Sequence, residues 1–184
     1  MKKVIFLDRD GVINKDPEKG YVKRVEEFQF LPGSLSAIKK LNSYGYEVVV
    51  ISNQAGIAKG LYSVEDLTKV NNNMLSEVKK AGGKIKATYY CIHKDEDNCL
   101  CRKPKTGLIE QACEGLDVDI KKTFFIGDKK TDIETGKKAG CKTILVLSGK
   151  VKEERDTSSW PIKPDYIKKD LKDAVDWIIA EDKG

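Results

Sequence analysis

The stretch Lys2-Lys3-Val4-Ile5-Phe6-Leu7-Asp8-Arg9-Asp10-Gly11-Val12-Ile13-Asn14 decides the predicted fold. Residues 4–7 form an apolar run bounded by charge, which is typical of a strand buried on both faces in a parallel sheet. Asp8 and Asp10 follow where this strand should end. Ligands of open α/β sheets bind beyond the carboxyl ends of the strands. The two carboxylates are therefore the first candidate catalytic residues.

Composition and charge restrict the class of protein. The chain has 184 residues, of which 40% are hydrophobic and 34% charged, and this predicts one globular domain over residues 1–184. The net charge of +5 is spread along the chain. It suits a small anionic substrate and does not require nucleic acid.

We expect a cytoplasmic monomer that contacts neither a membrane nor nucleic acid. The four apolar residues after Lys3 are too few for a signal peptide, and no stretch is long enough to span a membrane. Five cysteines without a secretory signal indicate reduced thiols, with roles in the core or in metal binding.

The single histidine, His93, excludes several hydrolase classes from the main candidates. Phosphatases and hydrolases with a reacting histidine need one at the active centre, and His93 lies within a cysteine cluster. The chain has no Cys-nucleophile phosphatase loop and no G-x-x-x-x-G-K-[ST] motif. The carboxylates remain as candidates.

Strands and helices are predicted to alternate along the chain. This pattern predicts a doubly wound parallel α/β sheet with strand order 3-2-1-4-5 and right-handed crossovers. The predicted strands are 4–7, 47–53, 85–91, 123–128 and 142–147, with a short edge strand at 165–167. Predicted helices begin near residues 34, 63, 106, 129 and 171, and the third should span 106–116.

Polar residues follow the second and fourth predicted strands. Ser52 and Asn53 lead into the turn 54–56, where a hydroxyl and backbone N–H groups could bind phosphate, although an ordinary helix cap is the alternative. Asp128 ends the fourth strand. If that strand lies beside the first, Asp128 and Asp8 form an oxygen-ligand site for a hard divalent cation.

A cysteine and histidine cluster follows the third predicted strand. Two pairs spaced i and i+2 can close a tetrahedron on zinc, and four protein ligands make such a site structural. Its members are Cys91, His93, Cys99 and Cys101. Arg102 and Lys103 come directly afterwards, so zinc would also fix the direction of two cations. Lys103 suits a phosphoryl oxygen, and Arg102 suits a second anionic group.

The polar segment 15–21 is predicted to be a loop because it contains Pro17 and Gly20. Its position next to the aspartate pair predicts a flap that faces the substrate. The candidate substrate-binding residues of this flap are Asp16, Gly20 and Tyr21.

Four motifs together resemble those of the haloacid dehalogenase-like (HAD-like) phosphatases, and the resemblance covers nearly the whole chain. They are Asp8-Arg9-Asp10-Gly11-Val12, Ser52-Asn53, Lys103, and Gly127-Asp128 with Asp132. The Cys/His loop ending in Cys-x-Cys-Arg-Lys-Pro narrows the resemblance to the branch that holds histidinol phosphatases and heptose bisphosphate phosphatases. Segments 20–22, 53–60 and 127–129 look more like the heptose group. The five-residue loop after His93 also occurs in histidinol phosphatases.

The resemblance implies a Mg²⁺-dependent phosphatase without a separate cap domain. Asp8 would attack phosphorus and become an aspartyl phosphate, and Asp10 would protonate the leaving oxygen and later take a proton from water. The Asp8 carboxylate, the Asp10 carbonyl and Asp128 would hold Mg²⁺. Phosphoryl oxygens and substrate would be bound by Ser52, Asn53, Gln54, Arg102, Lys103 and Lys129. A heptose bisphosphate substrate would yield heptose 1-phosphate for nucleotide-activated heptose.

Two other classes fit less well. A phosphoreceiver switch also clusters acids, a hydroxyl and a lysine at this edge of a sheet, but its acceptor aspartate should end strand three, which here ends in Cys91. A nucleic-acid 3′-phosphatase favours a basic stripe with aromatic residues, whereas the lysines here are dispersed. Histidinol phosphate phosphatase is the nearest alternative.

Overall fold

The computed structural model describes residues 2–17, 20–114 and 117–182. These residues form one parallel sheet with helices on both faces. The strands are β1 (Lys3–Leu7), β2 (Tyr46–Asn53), β3 (Ile85–Cys91), β4 (Phe124–Gly127), β5 (Lys142–Val146) and β6 (Tyr166–Lys168). The α-helices are α1 (Ser34–Ser43), α2 (Val64–Lys80), α3 (Gly107–Glu114), α4 (Lys130–Ala139) and α5 (Leu171–Glu181).

The strand order is β3-β2-β1-β4-β5-β6, and each neighbouring pair is parallel. The predicted order 3-2-1-4-5 is confirmed, and the predicted edge strand joins it as β6 beside β5. The predicted helix 106–116 is observed as α3, which ends at Glu114; residues 115 and 116 lie outside the described residues. β1 thus lies between β2 and β4, the arrangement that the candidate site requires.

Side chains of β1 alternate between two cores, because successive residues of a strand face opposite sides of the sheet. Ile5 and Leu7 belong to one apolar cluster, which includes Ile38 of α1. Phe6 belongs to a second cluster, which includes Leu108 of α3. Both faces are therefore covered, which explains the continuous apolar run in this strand.

The register of the strands aligns their carboxyl ends. Leu7 of β1 pairs with Val50 of β2 and with Ile126 of β4. Asp8 and Asp128 consequently leave their strands at the same edge of the sheet, beside the end of β2.

The connections between strands hold no separate cap domain within the part of the chain that is described. As far as their residues are described, the links from β1 to α1 and from β3 to α3 contain only the short 3-10 helices Val25–Glu27 and Asp95–Asp97. Across the described ranges, none of the helices combines the length and the apolar character that crossing a membrane would take.

Candidate active site

Asp8 follows β1 and is buried between two lysines. Lys103 Nζ lies 3.0 Å from Asp8 Oδ1, and Lys129 Nζ lies 3.0 Å from Asp8 Oδ2. Burial opposes ionisation of this carboxyl, but the charges of Lys103 and Lys129 outweigh it and hold the pKa of Asp8 below its ordinary value. Asp8 is therefore a fixed, ionised carboxylate, which is the state that a nucleophile requires.

The Asp10 carboxyl has quite different neighbours. Arg9 contacts Asp10 Oδ1 as a fork, with Nε at 3.2 Å and Nη2 at 3.0 Å. Asn14 Nδ2 donates to the same oxygen at 2.9 Å, and Gln54 Nε2 donates to Asp10 Oδ2 at 2.9 Å. Two carboxylates in such different surroundings are suited to two different roles.

Asp128 lies beside Asp8 in a space that glycines leave open. Carboxylate oxygens of Asp8, Asp128 and Asp132 all lie within 4.8 Å of one another. A Cβ at Gly11, where φ is +84°, or at Gly149 would clash with the Asp128 carboxyl. Glycine at these two positions therefore lets the chain close around Asp128.

The three buried carboxylates repel one another. Burial, together with the charges of Asp132 and Asp8, raises the pKa of Asp128 to about 7, against the opposing charge of Lys129. Burial and the charge of Asp8 also raise the pKa of Asp132. The site carries more negative charge than its lysines readily balance.

The donor set fits a divalent cation of the magnesium type. Within the described ranges, Asp8 Oδ2 and Asp128 Oδ1 are buried and have no partner with good hydrogen-bond geometry. Lys129 Nζ faces both, at 3.0 Å and 3.4 Å. Hard oxygen ligands with excess negative charge are what such a cation prefers.

Lys103 is buried and held from several directions. Its Nζ lies 2.6 Å from Asp132 Oδ1 and donates to the Ile51 carbonyl at 3.0 Å. Asn53 holds its backbone: the Lys103 N–H donates to Asn53 Oδ1 at 3.0 Å, and Asn53 Nδ2 donates to the Lys103 carbonyl at 3.1 Å. The Asn53 amide, predicted to bind phosphoryl oxygens, is therefore engaged in placing Lys103.

Asp132 connects Lys103 to the start of α4. Its Oδ2 accepts from the backbone N–H groups of Asp128 at 3.1 Å and Lys129 at 3.3 Å. A Cβ at Gly127 would clash with Asp132. The sequence motif contains Asp132 without giving it a role, and the structure places it where it orients both Lys103 and the turn that carries Asp128.

The four predicted zinc ligands lie together, with their ligand atoms within 4.8 Å of one another. The Cys99 Sγ lies 3.7 Å from the Cys91 Sγ and 3.5 Å from the Cys101 Sγ. The His93 Nδ1 lies 3.4 Å from the Cys101 Sγ. Zn–S bonds of about 2.3 Å in a tetrahedron place sulfur atoms about 3.8 Å apart, so the cluster has the dimensions of a zinc site.

The buried Cys91 thiol needs a cation to ionise. Burial raises the pKa of Cys91 to about 12. A bound metal stabilises thiolates, so the chemistry of this donor set fits zinc.

Residues 18 and 19 of the predicted flap lie outside the described residues, whereas Asp16 and Tyr21 have neighbours that lead to the site. Asp16 Oδ2 lies 2.7 Å from Lys150 Nζ. The Tyr21 ring lies 5.9 Å from the Tyr62 ring, and Tyr62 contacts Gln54. Gly20 has φ +100° and open space around its Cβ position. Asp16 and Tyr21 are thus linked to the carboxylates indirectly, through Lys150 and through Tyr62 with Gln54.

Ser52 and Arg102, both predicted to bind substrate, differ in burial. Ser52 is buried, and its Oγ accepts from Gln54 Nε2 at 3.2 Å. Arg102 directly follows Cys101, the last member of the Cys/His cluster, and its Nε lies 2.5 Å from Asp95 Oδ1. Because Asp95 is exposed, this ion pair is open to exchange with an anionic ligand.

Sequence reasoning missed several residues of the site. Arg9, Asn14 and Tyr62 were given no role, although all three belong to the hydrogen-bond network around Asp10. For Arg9, the sequence offered one signal, which is its place between two aspartates directly after a buried strand. The loop that includes Lys150, whose N–H donates to Asp128 Oδ2 at 2.7 Å, carried no sequence signal for this role.

Comparisons with known proteins identify the family of this chain. The HAD-hydrolase-like family model matches residues 100–174. A relative from Neisseria meningitidis serogroup A is 41% identical over 151 residues, which are 82% of this chain and 80% of that protein. A relative from Helicobacter pylori strain J99 is 37% identical over 180 residues, which are 96% of this chain and 97% of that protein. A structure from B. bronchiseptica matches with a TM-score of 0.89 at 34% identity, covering 97% of this chain and 99% of that one.

The chain therefore belongs to the HAD-like phosphatases, which are phosphoric monoester hydrolases. The resemblance drawn from the four motifs is confirmed. Both sequence relatives bear the name D-glycero-beta-D-manno-heptose-1,7-bisphosphate 7-phosphatase. The related structure is a D,D-heptose 1,7-bisphosphate phosphatase complexed with magnesium and phosphate.

Proposed function

We propose that this chain removes the 7-phosphate of D-glycero-D-manno-heptose 1,7-bisphosphate in a Mg²⁺-dependent reaction. The observation that carries the proposal is the ionised Asp8 between Lys103 and Lys129, with Asp128 beside it. The relatives support the sugar substrate and favour its β-anomer. We place the product, heptose 1-phosphate, in nucleotide-activated heptose synthesis for lipopolysaccharide. Five free cysteines support a cytoplasmic location.

In the first proposed step, an Asp8 carboxylate oxygen attacks phosphorus. The bond between phosphorus and the sugar oxygen breaks, and Asp10 donates a proton to that leaving oxygen. Lys103 and Lys129 already contact Asp8, so their ammonium groups lie where the phosphoryl oxygens would gather charge. The products of this step are the sugar monophosphate and an aspartyl phosphate.

In the second proposed step, water attacks phosphorus while Asp10 accepts a proton from it. The bond from phosphorus to the Asp8 oxygen then breaks, which restores the carboxylate and releases inorganic phosphate. A positioned acid or base contributes about 10²- to 10⁴-fold, whereas phosphate monoesters can need up to about 10²¹-fold acceleration. Charge stabilisation by Lys103, Lys129 and the metal must therefore supply most of the effect.

The Asp8 carboxylate, the Asp10 carbonyl and Asp128 are the proposed Mg²⁺ ligands. When bound, Mg²⁺ neutralises charge on the transferring phosphoryl group. Arg102, at the outer side of Lys103, is the proposed contact for the second phosphate. Its ion pair with the exposed Asp95 would be exchanged for that contact.

A turnover assay tests the substrate directly. Phosphate release should be compared on the two anomers of heptose 1,7-bisphosphate and on histidinol phosphate. We expect the β-anomer to give the highest kcat/KM. A higher kcat/KM on histidinol phosphate would replace the proposed substrate with that of the histidinol phosphatases of the same branch.

Magnesium binding should strengthen as the pH rises from 6 to 8. Asp128 has a pKa raised from 3.8 to about 7, so the folded protein holds a proton that the unfolded chain has lost. Without metal, this acid makes folding less favourable as the pH rises towards 7, because its charge is disfavoured in the folded state. Mg²⁺ must displace the proton, so its affinity should fall up to about tenfold per pH unit below 7.

Isothermal titration of the enzyme with Mg²⁺ across this pH range measures the effect. The rise in Tm on adding Mg²⁺ should follow the same trend. Asp128→Asn should abolish the pH dependence together with most of the affinity. An affinity that does not change with pH would remove Asp128 from the ligand set.

We also propose that Cys91, His93, Cys99 and Cys101 hold a structural zinc ion. Cys101→Ser should lower zinc content well below one ion per chain and reduce kcat, because Cys101 lies two residues before Lys103. The sheet should remain folded, since the cluster lies at its edge, after β3. Metal analysis, circular dichroism and phosphate release test these three expectations.

Cys113→Ala is the matched control, because Cys113 lies on α3 outside the four-residue cluster. It should retain zinc and turnover. Full zinc content in Cys101→Ser would contradict the assigned ligand set.

A further inference from the structure

Gln54 was predicted to bind substrate, but its side chain is fully buried and directed at Asp10. Gln54 Nε2 donates to Asp10 Oδ2 at 2.9 Å and to Ser52 Oγ at 3.2 Å. Gln54 Oε1 accepts from the Tyr62 hydroxyl at 2.6 Å. Both amide N–H groups and the carbonyl are thus engaged within the protein.

We propose that Tyr62 and Gln54 are positioning residues for Asp10, acting together with Arg9, and that Gln54 does not bind substrate. The inference rests on the role of Asp10 as general acid and base in the proposed function. Tyr62 fixes which end of the Gln54 amide faces Asp10, and Gln54 fixes the direction of Asp10 Oδ2.

The Asp10 carboxyl needs positioning residues because its own side chain does not fix its orientation. The terminal torsion of an aspartate is broad, so its oxygens are poorly placed without partners. Arg9 donates two hydrogen bonds to Asp10 Oδ1, and its Nη2 also lies 3.1 Å from Asp10 Oδ2. The Gln54 contact comes from the turn after β2 and restrains the second oxygen from a separate element. Together these contacts define the plane of the Asp10 carboxyl.

Packing holds the positioning pair in place. The Tyr62 ring is buried against the Tyr21 ring, and a Cβ at Gly56 would clash with the Tyr62 ring. Arg9 is completely buried, with its guanidinium carbon 6.0 Å from the centre of the Phe28 ring and 5.9 Å from that of Tyr90. Neither Arg9 nor Tyr62 can relax far when Asp10 moves.

Two substrates that differ in their leaving group can separate the positioning of Asp10 from the rest of catalysis. An alkoxide leaving from a sugar phosphate needs a proton from Asp10, whereas 4-nitrophenolate leaves without one. A misplacement near 1 Å can cost up to about 10²-fold in a reaction that depends on the displaced group. Loss of positioning should therefore reduce kcat/KM for the sugar bisphosphate, which reports the steps up to departure of the leaving group, and spare kcat/KM for 4-nitrophenyl phosphate.

The experiment compares Tyr62→Phe and Gln54→Leu with the wild type on both substrates. We expect kcat/KM on heptose 1,7-bisphosphate to fall about 5- to 50-fold through a loss of kcat, and kcat/KM on 4-nitrophenyl phosphate to fall less than about threefold. Tyr46→Phe is the matched control. Tyr46 is a buried tyrosine at the amino end of β2, whereas the site lies at the carboxyl ends of the strands. It should behave as wild type on both substrates.

Asp10→Asn serves as the benchmark. If that variant loses kcat/KM equally on both substrates, the role of Asp10 as general acid fails, and the proposed function must be revised. If Asp10→Asn is selective while Tyr62→Phe and Gln54→Leu are not, the positioning inference alone is overturned. A raised KM with unchanged kcat in Gln54→Leu would restore its predicted role in substrate binding.

Discussion

Asp8→Asn should reduce phosphate release from heptose 1,7-bisphosphate by roughly 10⁴-fold or more while the protein stays folded. The amide is nearly the same size as the carboxylate but is a poor nucleophile, so no covalent phosphoryl enzyme can form. Lys103 should keep its place, because it also contacts Asp132 at 2.6 Å. Steady-state kinetics and mass spectrometry of acid-quenched enzyme measure the two effects.

The matched control is Asp176→Asn on α5. Asp176 forms an ion pair with Lys40 at 2.6 Å, and such partly exposed pairs contribute only about 0–1 kcal/mol. This variant should keep full turnover. Activity of Asp8→Asn within tenfold of the wild type would exclude Asp8 as the nucleophile.

Lys103→Met should lower kcat/KM by roughly 10³-fold, because it removes a preorganised cation beside the transferring phosphoryl group. It should also destabilise the fold by about 3–5 kcal/mol, since Asp8 and Asp132 lose a buried partner. Mg²⁺ should recover part of the stability and little of the turnover. Phosphate release and denaturant unfolding, each with and without Mg²⁺, separate the two losses.

Lys40→Met removes a lysine from a surface ion pair and is the corresponding control. Its turnover and its response to Mg²⁺ should match the wild type. Near-normal turnover of Lys103→Met would show that the phosphoryl charge is stabilised by other groups, with Lys129 the first candidate.

Much of the fold was predictable because it depends on local patterns. The buried run before Asp8 and the alternation of strands with helices determined a parallel sheet with β1 at its centre. The meeting of Asp8 and Asp128 then followed from the order of the strands. The cluster around Cys91 was predictable because its ligands lie within eleven residues of sequence.

The hydrogen bonds between distant segments could not be predicted. Gln54 looked like a substrate contact, because sequence cannot show that Tyr62 and Asp10 engage both ends of its amide. Asn53 likewise lies in the expected motif, but its amide holds the backbone of Lys103, fifty residues away in sequence. Such pairings depend on three-dimensional distance, for which composition and periodicity carry little information.

Lys103 is joined to the zinc cluster on one side and to Asn53 on the other. The group that should stabilise the phosphoryl charge is thus carried on a segment that the proposed zinc ion would hold in place. If zinc occupies the cluster, a shortage of zinc should lower the turnover of this protein while its sheet stays folded.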